Sequence, residues 1–269
     1  MIADLHIHTT VSDGRLSPQD IVKQAEETGL STISITDHDT VEAHRILRAY
    51  ENNSKLRIIP GIEFSTDLPQ HEVHILGYCI DIENQKLNDQ LDLIVQDRVR
   101  RIDTMVVKLN ELGYKINHAR VLEIAGQATS VGRPHVAKAL VEQGYFNTVT
   151  EAFETVLSNN GAAYVPHYKL LPEQVIRLVK QAGGYPVLAH PGLIGSDELV
   201  YDIIKLGIAG LEVYHPEHDI AVTNKYLSIA QKYNLKITGG SDFHGIPGRY
   251  PEKLGIFAIQ ADLVEYLSE

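Results

Sequence analysis

Short apolar runs of strand length alternate along the chain with stretches whose apolar residues return every three or four positions. Ile2–His8 predicts a first strand. Ser17 then caps a helix with Pro18 at its first position, predicted to run to about Thr28 and stop at Gly29. Thr32–Thr36 reads as a second strand, and a helix follows from Asp39 or Thr40 to near Asn52. Arg57–Phe64 and Val73–Ile80 read as strands three and four. Beyond residue 83 the period changes. Leu87–Leu112 predicts one long helix, with Leu91, Ile94, Val95, Ile102, Val106 and Leu109 near helical spacing. Shorter helices are predicted at His118–Ala125, Arg133–Glu142 and Val149–Leu157, with no clear strand among them. Alternation then resumes: helix Pro172–Ala182, strand Tyr185–Ala189, helix Asp197–Leu206, strand Gly210–Tyr214, helix Ile220–Tyr233 and strand Lys236–Gly240. An edge strand at Gly255–Ile259 and a short helix end the pattern. Such alternation implies an α/β fold, a largely parallel TIM-like barrel of about seven strands under covering helices. Residues 1–82 and 167–269 form the barrel in this reading, and 83–166 a helical insertion that caps the site. An open doubly wound sheet is the weaker alternative, because no Gly-rich phosphate loop follows the first strand.

Composition narrows the class. Of 269 residues, 43% are hydrophobic and 22% charged, ordinary for a globular protein. The single Cys, Cys79, excludes an internal disulfide framework and a Cys-rich zinc site, and fits a reducing cytoplasm. MIADLHIHTT lacks the basic-then-apolar order of a signal peptide, and no run approaches the roughly 20 apolar residues of a membrane span. A cytoplasmic location away from membranes is therefore expected. The net charge of −11 argues against stable binding of duplex DNA. Thirteen His stand against five Phe and no Trp, so their placement matters.

Candidate ligands fall where the predicted strands end. His6 and His8 close strand one, two apart and so on one face. His38 follows strand two in Thr36-Asp37-His38-Asp39, Glu63 closes strand three, and His190 closes strand five in Ala189-His190-Pro191. Asp242 and His244 follow the last barrel strand in Ser241-Asp242-Phe243-His244. In a βα-barrel, functional residues collect at the carboxyl ends of strands, and packing alone does not explain five strand ends converging on His, Asp and Glu. Two residues fit less well. Asp13, in Ser12-Asp13-Gly14, reads equally as an ordinary turn residue. His74 lies near the start of strand four, so either that boundary shifts or the strand runs the other way. Imidazole and carboxylate donors without thiolate suit zinc, manganese or iron. Multi-metal sites suit phosphoester hydrolysis, since they acidify water and stabilise both the attacking and the leaving oxygen.

Together, His6-Ile7-His8, Thr36-Asp37-His38, Glu63, His74, Ala189-His190-Pro191 and Ser241-Asp242-Phe243-His244 resemble the polymerase-and-histidinol-phosphatase (PHP) family. The resemblance covers about residues 1–80 and 170–260. It implies a distorted (β/α)7 barrel with a trinuclear centre of divalent ions, Mn(2+) first, Zn(2+) or Fe(2+) next, and no protein nucleophile. It places His6, His8, Glu63 and Asp242 on one metal. Asp13, His38 and His244 would hold a second, and Glu63, His74 and His190 a third, with Glu63 bridging. Three carboxylates and six neutral imidazoles carry −3, which three divalent ions would turn to about +3, so the local field would attract phosphate despite the acidic whole. Within the family the chain resembles the small TrpH-like branch, through the insertion and its Gly132-Arg133-Pro134-His135 segment. Members similar to it remove the 3′-phosphate of nucleoside 3′,5′-bisphosphates or trim short RNA from the 5′ end. A nucleotide or short oligonucleotide is the implied substrate, with Arg133 and His135 as phosphate contacts.

Other residues carry weaker signals. Thr129 and Ser130 could add hydroxyls to the same contact. His215, after strand six, and Arg249, after Gly245-Ile246-Pro247-Gly248, could reach a substrate. His167 and Lys169 could face the cleft where the insertion rejoins the barrel. His218 reads as solvated, and His44, His71 and His118 as surface residues. Two rival functions remain: a histidinol-phosphate phosphatase using the same centre, and a nucleic-acid-binding module with structural metals. The acidic balance and the missing basic-aromatic stripe weigh against the second.

Overall fold

The computed structural model describes residues 1–50, 55–68, 71–126, 131–158, 161–166, 168 and 170–268. Residues 1–89 and 170–269 make one compact unit, and residues 90–169 another.

In the first unit, eight strands form one sheet among the described residues. They are β1 (Ile2–Ile7), β2 (Thr32–Ile35), β3 (Arg57–Leu68), β4 (His71–Tyr78), β5 (Tyr185–Leu188), β6 (Gly210–Tyr214), β7 (Lys236–Gly239) and β8 (Ile259–Gln260). The order is β7-β6-β5-β4-β3-β2-β1-β8. β1, β2 and β3 run parallel, as do β5, β6 and β7. β4 runs antiparallel to both neighbours, and β8 antiparallel to the start of β1. The ring nearly closes through Phe243, whose carbonyl accepts from His8 N at 2.8 Å and whose N–H reaches His6 O at 3.3 Å. This is the expected distorted barrel, with β4 reversed and the edge strand β8 added outside the seven.

Local sequence explains the covering helices. α1 (Pro18–Glu27) begins where the Ser17 hydroxyl accepts from Asp20 N. It buries Ile21, Val22 and Ala25 in a cluster with Ile7, Ile33, Ile35 and Phe243. α2, Glu42–Arg48, starts later than the sequence suggests, after Asp39 takes a left-handed φ of +53°, and the expected end near Asn52 lies outside the described residues. The long helix α3 (Gln85–Glu111) runs from the first unit into the second.

The second unit also holds α4 (His118–Ala125), α5 (Arg133–Glu142) and α6 (Val149–Ala152), which continues as a π-helical turn through Leu157. Ile102, Met105 and Leu109 of α3 pack there with Val121, Val136, Leu140 and Leu157. Back in the first unit, α7 (Pro172–Gln181), α8 (Asp197–Lys205) and α9 (Ile220–Lys232) alternate with β5, β6 and β7, and a 3-10 helix, Ala261–Ser268, ends the described chain. None of the described helices is long and apolar enough to cross a membrane.

Candidate metal centre

His6 and His8 point to one side of β1 and are buried, with ring centroids 5.2 Å apart. Glu63 faces them from β3 and is 1% exposed. Its two oxygens divide the site. Oε2 lies 3.3 Å from His6 Nε2, 3.3 Å from His8 Nε2 and 3.1 Å from His38 Nδ1. Oε1 lies 2.9 Å from His74 Nδ1 and 3.2 Å from His190 Nε2. Asp242 Oδ1 stands 3.2 Å from His8 Nε2 and 3.5 Å from His6 Nε2. Asp13 Oδ1 stands 3.3 Å from His244 Nε2, and the rings of His8 and His244 stack at 4.1 Å. All nine candidate ligands therefore meet at one end of the barrel.

The reversal of β4 resolves the position of His74. In the β3–β4 hairpin His74 pairs with Ser65, two residues beyond Glu63. The start of an antiparallel strand lies level with the ends of its parallel neighbours, so His74 reaches the same rim. β3 itself continues to Leu68, which leaves Glu63 inside the strand.

The donor set fits divalent ions. His6 Nε2, His8 Nε2, His38 Nδ1 and Glu63 Oε2 are buried and make no hydrogen bond among the described residues, although each of the three nitrogens stands 3.1–3.3 Å from Glu63 Oε2. Buried polar atoms left this way are unfavourable by about 1–3 kcal/mol each. Bonds of about 2.1 Å from a common ion give ligand–ligand edges of roughly 3.0–3.4 Å, the spacing seen. Three groups could each hold an ion: His8, Asp13, His38 and His244; His6, His8 and Glu63; His38, Glu63 and His74.

Without metal, the site shares protons unevenly. Burial disfavours the Glu63 carboxylate, but His38, His74 and His6 outweigh it and hold its pKa well below the usual range. His244 and His6 do the same for Asp242, and His244 and His38 for Asp13, again against burial. Burial would lower His8, yet Asp242 and Glu63 raise it to about 10. His38 falls to about 4, through burial and the nearby His8 and His74 despite Glu63 and Asp13.

The site opens into a cavity of about 310 Å³ lined by Asp13, His38, Glu63, His74, His190, Leu193, Asp242, His244 and Arg249. Arg249 donates to Asp242 Oδ2 at 2.7 Å. His215 is buried beside it, with Nδ1 accepting from Glu217 N and Nε2 3.9 Å from Asp242 Oδ2. Arg133 and His135 lie at the start of α5 in the second unit. Arg133 donates to Leu157 O and stacks on Phe153, and His135 is buried with Nδ1 accepting from Gly132 N. Thr129, Ser130, His167 and Lys169 lie outside the described residues.

Two histidines and one glutamate differ from the sequence reading. His44 is buried, its Nε2 3.0 Å from Gly61 N and 2.9 Å from Ile35 O, so it pins β2 to β3 and is no surface residue. His218 is also buried, with Nε2 accepting from Gly192 N and Nδ1 donating to Val213 O. His71, half-buried, donates to Ile194 O. Glu212, in the middle of β6, is fully buried against His6, a placement the sequence does not predict. Its only sequence signal is an acid between Leu211 and Val213 in a strand that otherwise reads apolar.

Comparison with known proteins agrees with this geometry. The PHP domain model matches residues 4–163. Phosphoribosyl 1,2-cyclic phosphate 1,2-diphosphodiesterase of Eggerthella lenta is 31% identical over 254 residues, 93% of this chain and 97% of that protein. The 5′-3′ exoribonuclease Rnm of Escherichia coli is 34% identical, over 91% of this chain and 85% of its own. The 3′,5′-nucleoside bisphosphate phosphatase of Chromobacterium violaceum is 28% identical, over 94% and 90%. A solved structure from Bifidobacterium adolescentis, assigned as a metal-dependent phosphoesterase, superposes with a TM-score of 0.82 at 32% identity, over 98% of this chain and 94% of that one. The chain belongs to the PHP domain family. Its activity is that of a metal-dependent phosphoesterase, a hydrolase of phosphate esters.

Proposed function

We propose that this cavity hydrolyses a terminal phosphate ester of a nucleotide in the cytoplasm. The 3′-phosphate of a nucleoside 3′,5′-bisphosphate is the first candidate substrate, and the 5′ end of short RNA the second. The activities named for the Chromobacterium and Escherichia relatives support the two choices. The observation that carries the reading is Glu63, whose oxygens divide five buried or half-buried imidazoles into two groups.

In this proposal three divalent ions, manganese first and zinc or iron next, are held as the family resemblance implies. His6, His8, Glu63 and Asp242 form one set, Asp13, His38 and His244 a second, and Glu63, His74 and His190 a third. When bound, the ions polarise the phosphoryl group, acidify water and neutralise developing charge. The protein's own residues bind and orient. Arg249, on the cavity wall, offers a planar fork to the substrate phosphate. The family resemblance also offers Arg133 and His135 as phosphate-binding residues; within the second unit His135 holds the start of α5 through Gly132 N.

The test is phosphate release from a nucleoside 3′,5′-bisphosphate, a 5′-phosphorylated short RNA and histidinol phosphate, each with manganese and with zinc. The bisphosphate is expected to turn over fastest. His8→Ala and Asp242→Ala are expected to abolish release while circular dichroism stays native. Full activity in either variant, or turnover of histidinol phosphate alone, would refute the proposal.

A further inference from the structure

Glu212 is a carboxylate in the middle of β6. It is fully buried in β6, and a buried carboxylate is strongly unfavourable unless its oxygens find donors. Both oxygens have one, and each donor belongs to a different part of the candidate centre. Oε1 accepts from His6 Nδ1 at 2.9 Å. Oε2 accepts from the backbone N–H of His190 at 2.8 Å. His6 lies on β1 and His190 just beyond β5, with their rings stacked 5.8 Å apart at 18°. His190 has a φ of +26°, a backbone position that a non-glycine residue takes only when its surroundings impose it.

We propose that Glu212 is a positioning residue that ties two of the metal sets together. It fixes His6 with the proton on Nδ1, so that the Nε2 lone pair points toward Glu63 and Asp242. It also anchors the His190 backbone, which aims that ring's Nε2 at the far oxygen of Glu63. The inference rests on the metal-binding reading of the centre. It predicts an asymmetric response to Glu212→Gln, which keeps the volume. A carboxylate accepts at both ends, whereas an amide accepts at one end and donates at the other. With its NH2 toward His190, donor meets donor and the anchored backbone loses its partner. With its NH2 toward His6, Nδ1 must accept, the proton moves to Nε2, and that nitrogen can no longer ligate.

The experiment is a Mn(2+) titration of chelator-stripped wild-type protein and Glu212→Gln by calorimetry, with thermal unfolding of both in EDTA. The variant is expected to bind Mn(2+) 10- to 100-fold more weakly, while its melting temperature in EDTA stays within a few degrees of wild type. Unchanged affinity overturns the proposal, whether or not the melting temperature falls, because a purely structural role lowers only the latter. A second measurement needs no variant: nitrogen-15 NMR of zinc-loaded wild-type protein should show a slowly exchanging proton on His6 Nδ1. An unprotonated Nδ1 there overturns the proposal even if Glu212→Gln fails to fold. Wild-type protein that binds neither metal would instead refute the metal reading itself, and the role of Glu212 with it.

Discussion

Gly240→Ala is a change of one methyl group that should damage both the barrel and its metal centre. Gly240 follows β7 and lies against β1 where the ring closes. A Cβ at this position would overlap His6 N and Cβ, and would sit 2.8 Å from His6 Cα. These are backbone and Cβ atoms, so no rotamer change relieves the overlap. Restoring a carbon–carbon contact of about 3.5 Å with His6 Cβ, the nearest carbon, requires the segments to part by roughly 1.2 Å. Overpacking of this kind is destabilising by about 1–3 kcal/mol, which lowers the melting temperature of a chain this size by roughly 2–6 °C. The same movement shifts His6 by more than the roughly 0.2 Å that a metal–ligand distance tolerates, so Mn(2+) affinity should fall at least about tenfold. Differential scanning calorimetry in EDTA and a Mn(2+) titration measure the two effects. A variant with wild-type melting temperature and wild-type affinity would refute the claim that this close approach sets the position of His6.

Three further outcomes are expected. At pH 7.5 the metal-free His8, held up to about 10 by Asp242 and Glu63 against burial, is protonated, so metal uptake should expel protons and tighten as pH rises; calorimetry in buffers of different ionisation heat would count them, and a count of zero defeats the prediction. Burial holds the His44 pKa below its ordinary value, so the neutral ring stabilises the fold above about pH 6.5 and that contribution is lost as pH falls. In urea unfolding of metal-free protein, the advantage of wild type over His44→Gln should shrink from pH 7 to pH 5, and a constant gap would contradict this. Arg249→Ala should raise KM for the nucleotide about tenfold to a hundredfold, since a hydrogen bond to a charged group contributes about 1.5–3 kcal/mol; an unchanged KM would remove Arg249 from phosphate binding.

Much of the site was legible because strand ends carry function in this architecture, and His6, His8, His38, His190, Asp242 and His244 all stand at or just past one. His74 was legible as a candidate but not as a neighbour of Glu63. Its placement depends on β4 running backwards, a pairing choice that an apolar run does not encode. Glu212 escaped notice because a lone acid at mid-strand resembles an outward-facing polar position, and only the closed ring shows that it points inward to His6. His44 misled for the opposite reason: between Ala43 and Arg45 on a short helix it resembles a solvated residue, yet its face is the one covered by β2 and β3. The change of period after residue 83 falls near residue 90, where the second compact unit begins. What its Arg133 reaches depends on three-dimensional placement that no spacing in the sequence carries.

The closure through Phe243 also sets a timetable. His6 is synthesised well before Asp242, with most of this chain between them, yet the two stand 3.5 Å apart. At about 5–20 residues per second, the first histidines wait on the order of tens of seconds for their partners. Glu63 and His74, by contrast, share one hairpin and meet as soon as it forms. A chain that ends before β7 carries seven of the nine candidate ligands and lacks Asp242 and His244, so it cannot complete the proposed centre. In the proposed centre, full metal loading certifies that β1 has met the segment after β7.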